Sequence, residues 1–392
     1  MVQVASLFNQ LLQHFPRTEF ASLVKKHHAE RNAKGFDCWT QFVAMEFCQL
    51  AHADSLREIC NGLACSEGKL VHLGIANAPN KSTLSYANKH RPAALFEDVF
   101  YTSLNRFRDQ QGLGARKAKF RFKNKLQSLD STTISLCLDL FPWAKFRRSK
   151  GGVKAHVLLD HDDYLPSYVL ITEAKTSDVR VAQALDLNPG SIVAIDRAYT
   201  DYAMFDKWTK QDVFFVTRLK ENAAYEVVEA FMGPLPHNIR ADELIRFTGG
   251  KAVKDCPNLV LRRVVVWDEA NQREIVLLTN LLHFGATTIA AIYKDRWEIE
   301  LFFKALKQNL KVKSFVGTTK NALLIQIWTA LIAILLLKWL HHLSKAKWSL
   351  SNLASMLRLN LFTYRDLGKW LENPFGTPPL VPASEQLALN LV

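Results

Sequence analysis

The chain has 392 residues, 48% of them hydrophobic and 11% aromatic, enough to build a large core in more than one domain and to exclude disorder as its main state. Only 16 residues are glycine, and there is no internal repeat of about 20–50 residues, so a collagenous or solenoid protein is excluded. Fifty Lys and Arg against 37 Asp and Glu leave a net charge of +13, which points to a polyanionic partner, either nucleic acid or an anionic membrane surface. The six cysteines form no CxxC and show no zinc spacing, as expected of a chain kept in a reducing cytosol. The first residues, MVQVASLFNQLLQHF, lack the basic region and long apolar run of a signal peptide.

In chain order, residues 1–90 read as helical. Phe8, Leu11, Leu12 and Phe15 recur at helical spacing, 38–52 is a second periodic stretch, and Asp54 is a candidate cap for a helix that follows. A polar, basic helix over 82–91, opened by Ser82 and ended by Pro92, is either the reading helix of a helix-turn-helix or an ordinary bundle helix. Two acid-free basic runs come next. The first, 116–125, includes Arg116, Lys117 and Lys119; the second includes Lys145, Arg147, Arg148, Lys150 and Lys154. Such runs serve either as solvated faces or as phosphate contacts.

From residue 126 the texture changes. Strands are predicted at 126–130, 133–137, 153–159, 168–172, 191–195 and 213–219, with helices at 179–187 and 202–210: a mixed α/β sheet. Residues 222–283 interrupt the alternation with β-type runs at 259–267 and 275–280. One long helix is then predicted from 287 to 311, an apolar helix at 322–340, a shorter one at 350–358, and a proline-rich tail. The apolar helix approaches bilayer length, but Gln326, Thr329 and Lys338 interrupt it, and a buried core helix is expected.

Three carboxylates stand out. Asp130 and Asp196 each close an apolar strand, the rim position where α/β sheets hold ligands, although aspartate also caps and turns chains there. The run Tyr293-Lys294-Asp295-Arg296-Trp297-Glu298-Ile299-Glu300 continues to Lys304 and Lys307. On one unbroken helix, the spacing Tyr-x2-Arg-x3-Glu-x6-Lys puts Tyr293, Arg296, Glu300, Lys304 and Lys307 near one face. That gives a basic stripe with an acid in its middle.

This pattern resembles the DDE transposases of bacterial insertion sequences, in the subgroup marked by the Tyr-Arg-Glu-Lys signature. Asp196-Arg197-Ala198-Tyr199 is similar to the family's second-aspartate region. The resemblance implies an RNase H-like catalytic domain in two parts, 121–221 and 285–345, split by a β-rich insertion at 222–284. It further implies a helical DNA-binding domain at 1–120 and a C-terminal helical region and tail at 346–392. Asp130, Asp196 and Glu300 become the expected catalytic and metal-binding residues. Their expected cofactor is Mg²⁺, as two ions, with Mn²⁺ able to substitute; hard cations prefer carboxylate oxygen and two together stabilise attacking and leaving oxygens. Tyr293, Arg296, Lys304 and Lys307, with Arg116, Lys117, Lys119, Arg147 and Arg148, are expected to contact DNA phosphates, and Trp267 to hold a flipped base or else to sit in the core. Asp160, Asp162 and Asp163 rival Asp130 but fall at a predicted hairpin, and His156 reads as structural.

The implied activity is cut-and-paste transposition: binding the terminal inverted repeats, cleaving them through hairpin ends, and joining them to target DNA. The expected working form is a homodimer on paired ends, in the bacterial cytoplasm at the nucleoid, with no membrane partner. A metal-dependent nuclease or resolvase on the same fold, a non-catalytic DNA-binding regulator and a membrane-anchored protein are the alternatives.

Overall fold

The computed structural model describes residues 5–31, 33, 35–66, 68–114, 119–147, 150–231 and 234–378. Arg116, Lys117 and Arg148 therefore lie outside the described residues, and Arg147 is described through its backbone alone. The chain divides into two compact units, residues 1–113 with 304–392, and residues 114–303.

The first unit is helical. The helices Cys38–Ala51, Lys81–His90, Ala94–Gln111 and Leu350–Asn360 pack against Lys320–Leu343, a 24-residue helix long and apolar enough to cross a membrane but buried over most of its length. The polar residues that interrupt it have structural work. Gln326 donates from Nε2 to the Lys311 and Ser314 carbonyls at 2.7 and 2.8 Å, and its Oε1 accepts from the Val316 N–H at 2.9 Å. Gln49 accepts from the Lys311 N–H at 2.8 Å and donates to the Gln326 carbonyl at 3.1 Å. A chain segment thus runs beside an apolar helix with its backbone groups paired, as burial requires.

Two local expectations shift. Ser55, not Asp54, caps the helix Leu56–Ala64: its Oγ accepts from the Glu58 N–H, while Glu58 reaches back to the Asp54 N–H, a reciprocal pairing that satisfies two orphan donors. Asn80, not Ser82, caps Lys81–His90. Residues 65–80, including a 3₁₀ turn at Val71–Leu73, separate these helices. The tight three-to-four-residue turn of a helix-turn-helix is absent here. The Lys81–His90 helix keeps a polar outer face, with Tyr86 exposed and its ring 4.2 Å from that of His90.

Among the described residues, the second unit is built on ten strands: β1 (Leu126–Leu136), β2 (Lys145–Arg147), β3 (Lys150–Asp160), β4 (Leu165–Glu173), β5 (Ile192–Ile195), β6 (Phe214–Arg218), β7 (Tyr225–Ala230), β8 (Ile239–Phe247), β9 (Val260–Asp268) and β10 (Arg273–Thr279). Their order is β2-β3-β1-β5-β6-β10-β9-β8-β7, with β4 also paired to β3. β1, β5 and β6 run parallel, and the other pairs are antiparallel. Residues 222–283 extend this same sheet, because β10 pairs directly with β6, and they hold β7, β8 and a short helix Gly250–Asp255 besides the two runs expected.

β5 is buried on both faces, the mark of a central parallel strand. Val193 and Ile195 join a core with Leu129, Ala182, Phe205 and Trp208, on the side of the helices Asp178–Ala184 and Tyr202–Lys210. Ile192 and Ala194 join a second core with Leu126, Val216, Ile289 and Ile292, on the side of the helix Ala286–Asp295. With a period of two, Ser128 and Asp130 on β1 and Asp196 after β5 fall on this second side.

Candidate active site

Two expectations about the local backbone change. Asp130 does not end a strand: β1 runs unbroken for 11 residues, and the polar stretch Asp130-Ser131-Thr132-Thr133 stays extended because β3 pairs with it rung by rung. The long helix expected over 287–311 is two helices, Ala286–Asp295 and Glu298–Asn309, separated by Arg296 and Trp297. The Ile299 and Glu300 N–H groups bond three residues back, to the Arg296 and Trp297 carbonyls, so a turn replaces the continuous helix. The periodicity of the signature survives across this break only locally.

The register of the parallel strands explains why two distant aspartates meet. Leu129 is opposite Ile195, so Asp130 and Asp196 occupy the next step of adjoining strands. Asp196 then leaves the sheet, its Oδ1 accepting from the Ala198 N–H at 3.4 Å at the start of the turn Arg197–Tyr199. Arg296, with its side chain only 8% exposed, joins the third carboxylate. Its Nη1 is 3.5 Å from Asp130 Oδ2 and its Nη2 donates to Glu300 Oε1 at 2.7 Å. Its guanidinium lies over the Tyr293 ring, 5.6 Å from the centroid, close enough for a cation–π contact. Asp196 has its own arginine, Arg218 at the end of β6, at 4.0 Å.

The electrostatics follow from the clustering. Burial pushes the Asp130 carboxyl up to about 6, and the charges of Asp196 and Glu300 push the same way; the Ser131 N–H, which donates at 2.7 Å, and Arg296 oppose them. Burial likewise raises Tyr293, against the pull of Arg296 and Arg218. Among the described residues no three His, Cys, Asp or Glu side chains stand ready to hold a metal ion. Arg296 instead lies between Asp130 and Glu300. The donor set nonetheless fits hard divalent cations: carboxylate oxygens, of which those of Asp130 are held chiefly by burial away from the solvent that would otherwise stabilise their charge.

The other expected residues are placed differently. Lys119 pairs with the buried Asp295, and Lys125 of the same basic run with Asp160 at 2.6 Å and Asp162 at 2.5 Å, so carboxylates already neutralise part of that run. Asp160, Asp162 and Asp163 sit at the β3–β4 turn, where Asp163 Oδ1 accepts from the Leu165 N–H at 2.8 Å. Lys304 and Lys307 continue along Glu298–Asn309 into the first unit; Lys304 is exposed, and burial followed by the charge of Lys313 pushes the half-buried Lys307 ammonium down. Trp267 lies half-buried on β9 beneath the Arg240 guanidinium, 5.6 Å from its ring centroid. β9 is three strands from β5, and at about 4.8 Å per strand the sheet does not bring this ring to the carboxylates. His156 is buried on β3 opposite Ser131, its Nε2 2.9 Å from Thr172 Oγ1 and its Nδ1 3.4 Å from Asp178.

Sequence reasoning missed Arg218, although its place at the carboxyl end of a strand beside β5 is the same signal that marked Asp196. It also missed Asp178, which accepts from the Ser131 hydroxyl at 2.7 Å and pairs with Lys154 at 3.1 Å.

Residues 121–336, more than half of the chain, match the family described as the transposase DDE domain. The chain belongs to the DDE transposase family. Residues 3–76 match a separate domain of unknown function, DUF4372. A transposase for an insertion sequence element of Geobacillus stearothermophilus is 33% identical over 237 residues, which span 60% of this chain and 62% of that protein. One from Sinorhizobium fredii is 31% identical over 310 residues, 78% of this chain and 83% of the relative. Another, for an insertion sequence element of a Synechocystis species, is 28% identical over 66% of this chain and 71% of its own. Among solved structures, a piggyBac transposase synaptic complex with hairpin DNA aligns over 95% of this chain and 83% of its own, with 11% identity and a TM-score of 0.43. DDE transposase domains depend on divalent metal ions.

Proposed function

We propose that the chain is a DNA transposase that binds the terminal inverted repeats of its own insertion sequence, cleaves there and joins the freed ends to target DNA. The observation that carries this reading is the single guanidinium of Arg296 shared by Asp130 and Glu300, with Asp196 on the adjoining strand. We read the β1–β5–β6 sheet as an RNase H-like catalytic core, the added strands β7–β10 as its insertion, and the helical N-terminal region as DNA-binding.

Asp130, Asp196 and Glu300 would hold two Mg²⁺, with Mn²⁺ able to substitute. Bound there, divalent cations supply charge stabilisation to the attacking and leaving oxygens of a phosphodiester. The chain's own residues do the rest. Strand register holds Asp130 and Asp196 side by side. Arg296 and Arg218 place fixed positive charge beside the acids, where a phosphate would otherwise be repelled. Tyr293 presents a phenol that burial keeps protonated and able to donate to a phosphate oxygen. In this reading the nucleophiles are water and then the freed 3′-OH, the ends pass through hairpins, and a homodimer pairs two ends.

The test is the purified chain with DNA carrying the element's terminal repeats and Mg²⁺. The expected result is cleavage at the repeat boundary and joining of a precut end to a second duplex. Cleavage without joining makes it a nuclease, and normal cleavage by Glu300→Gln or Asp196→Asn overturns the site.

A further inference from the structure

One buried chain of polar contacts lies beside the carboxylates and is not used by them. Ser128 Oγ is 2.7 Å from His161 Nε2, and His161 Nδ1 is 2.5 Å from Asp295 Oδ2. Ser128 is fully buried, and the side chains of His161 and Asp295 are 4% and 1% exposed. A carboxylate only accepts, so the Nδ1 proton belongs to His161. The connectivity is that of a serine nucleophile with its base and orienting acid. Ser128 is sealed from any substrate, however, so here the chain is a strut.

Its two ends are informative. Ser128 and Asp130 are two residues apart on β1 and share a face. Asp295 and Arg296 are adjacent where the helix Ala286–Asp295 ends. The strand and the helix end are thus joined twice, by Asp130 to Arg296 directly and by Ser128 to Asp295 through His161. One contact would leave the helix end free to pivot; two fix its direction. The hairpin that carries His161 is itself tied to β1, because the His161 N–H donates to the Leu126 carbonyl at 3.1 Å. Lys119 pairs with the other oxygen of Asp295, so the buried carboxylate is fully engaged.

We propose that Ser128, His161 and Asp295 are positioning residues that set Arg296 between Asp130 and Glu300. This rests on the transposase reading for its effect on cleavage, but not for its effect on the fold. In the full-length chain, His161→Ala is expected to slow single-turnover end cleavage about 10- to 100-fold, the scale of a misplaced reacting group. End-DNA affinity should stay within about threefold, since the substitution removes no Lys or Arg. Ser128→Ala, which leaves the His161–Asp295 contact intact, should lose less than His161→Ala. In an Arg296→Ala background, His161→Ala should add less than about twofold, because residues acting as one unit are not additive.

Independent multiplication of the two losses, or wild-type cleavage by His161→Ala, overturns the proposal. If the wild-type chain cuts no DNA, the transposase reading falls, and the same cycle read by urea unfolding decides the strut: coupled effects of His161→Ala and Arg296→Ala support it, and additive effects end it.

Discussion

The helical unit and the sheet unit handle buried polar groups in opposite ways. Around Gln49 and Gln326 every polar atom named above has a neutral partner at normal hydrogen-bond distance, and no net charge is buried. Around Arg296 three carboxylates share two arginines, and Arg296 Nε and Nη1 and Arg218 Nε are buried without hydrogen bonds. We read the difference as that between a network that holds a fold and one that awaits a ligand. A saturated network makes a core unique, whereas unsatisfied charge clustered at a sheet rim persists only where function requires it. Glu46 is the exception in the helical unit. It is buried on Cys38–Ala51, both its oxygens lack hydrogen bonds, and burial drives its carboxyl well above the usual range, so it is carried neutral.

This contrast can be broken from either side. Glu300→Gln should lower end cleavage by about 10³-fold or more, the scale of losing a preorganised charged group. Its urea midpoint should stay level or rise, because one negative charge leaves a repelling cluster; a large loss of stability would make Glu300 structural. In the helical unit the converse holds. Gln326→Leu removes the partners of three backbone groups and should cost about 3 kcal/mol or more in urea unfolding, at about 1–3 kcal/mol for each unsatisfied group. An unchanged midpoint would show that water replaces the side chain.

A third test sharpens the charged side. Asp130, raised to about 6, is protonated below that pH and ionised above it. Metal must displace that proton, so Mn²⁺ affinity measured by calorimetry should fall about tenfold per pH unit below pH 6 and level off above it. A flat profile would separate Asp130 from the metal.

The last test concerns Glu46. The folded chain holds a proton there that the unfolded chain releases above the ordinary value of 4.5. Stability contributed at this site is therefore lost as pH rises from 4.5 toward the folded value, by at most about 1.4 kcal/mol per unit. Glu46→Gln should flatten the stability profile over that range; an unchanged slope places the titration elsewhere.

The sequence by itself determined the transposase family and the coarse order of elements. Short β-type runs rich in apolar residues marked β3, β5 and β6, and the short spacing from Arg296 to Glu300 kept its meaning because residues four apart meet over any single turn. Such information is local, and it failed where local rules are overridden. Asp130 reads as the end of one strand and Thr133 as the start of the next, yet pairing with β3 keeps the residues between them extended in a single strand. Arg296 and Trp297 read as mid-helix, yet the chain turns there and Arg296 points to a strand more than 160 residues earlier in sequence.

Only tertiary structure decided the rest. The parallel register that sets Asp130 beside Asp196 depends on which strands adjoin, and nothing in either strand states it. The Ser128–His161–Asp295 chain spans separations of 33 and 134 residues, and its members are common polar residues with no spacing to betray them. The same holds for Lys119, whose place in a basic run predicted phosphate but whose ammonium the fold brings to a buried carboxylate. Composition and periodicity report what a segment is suited to; which charge meets which is settled by the packing of segments far apart in the chain.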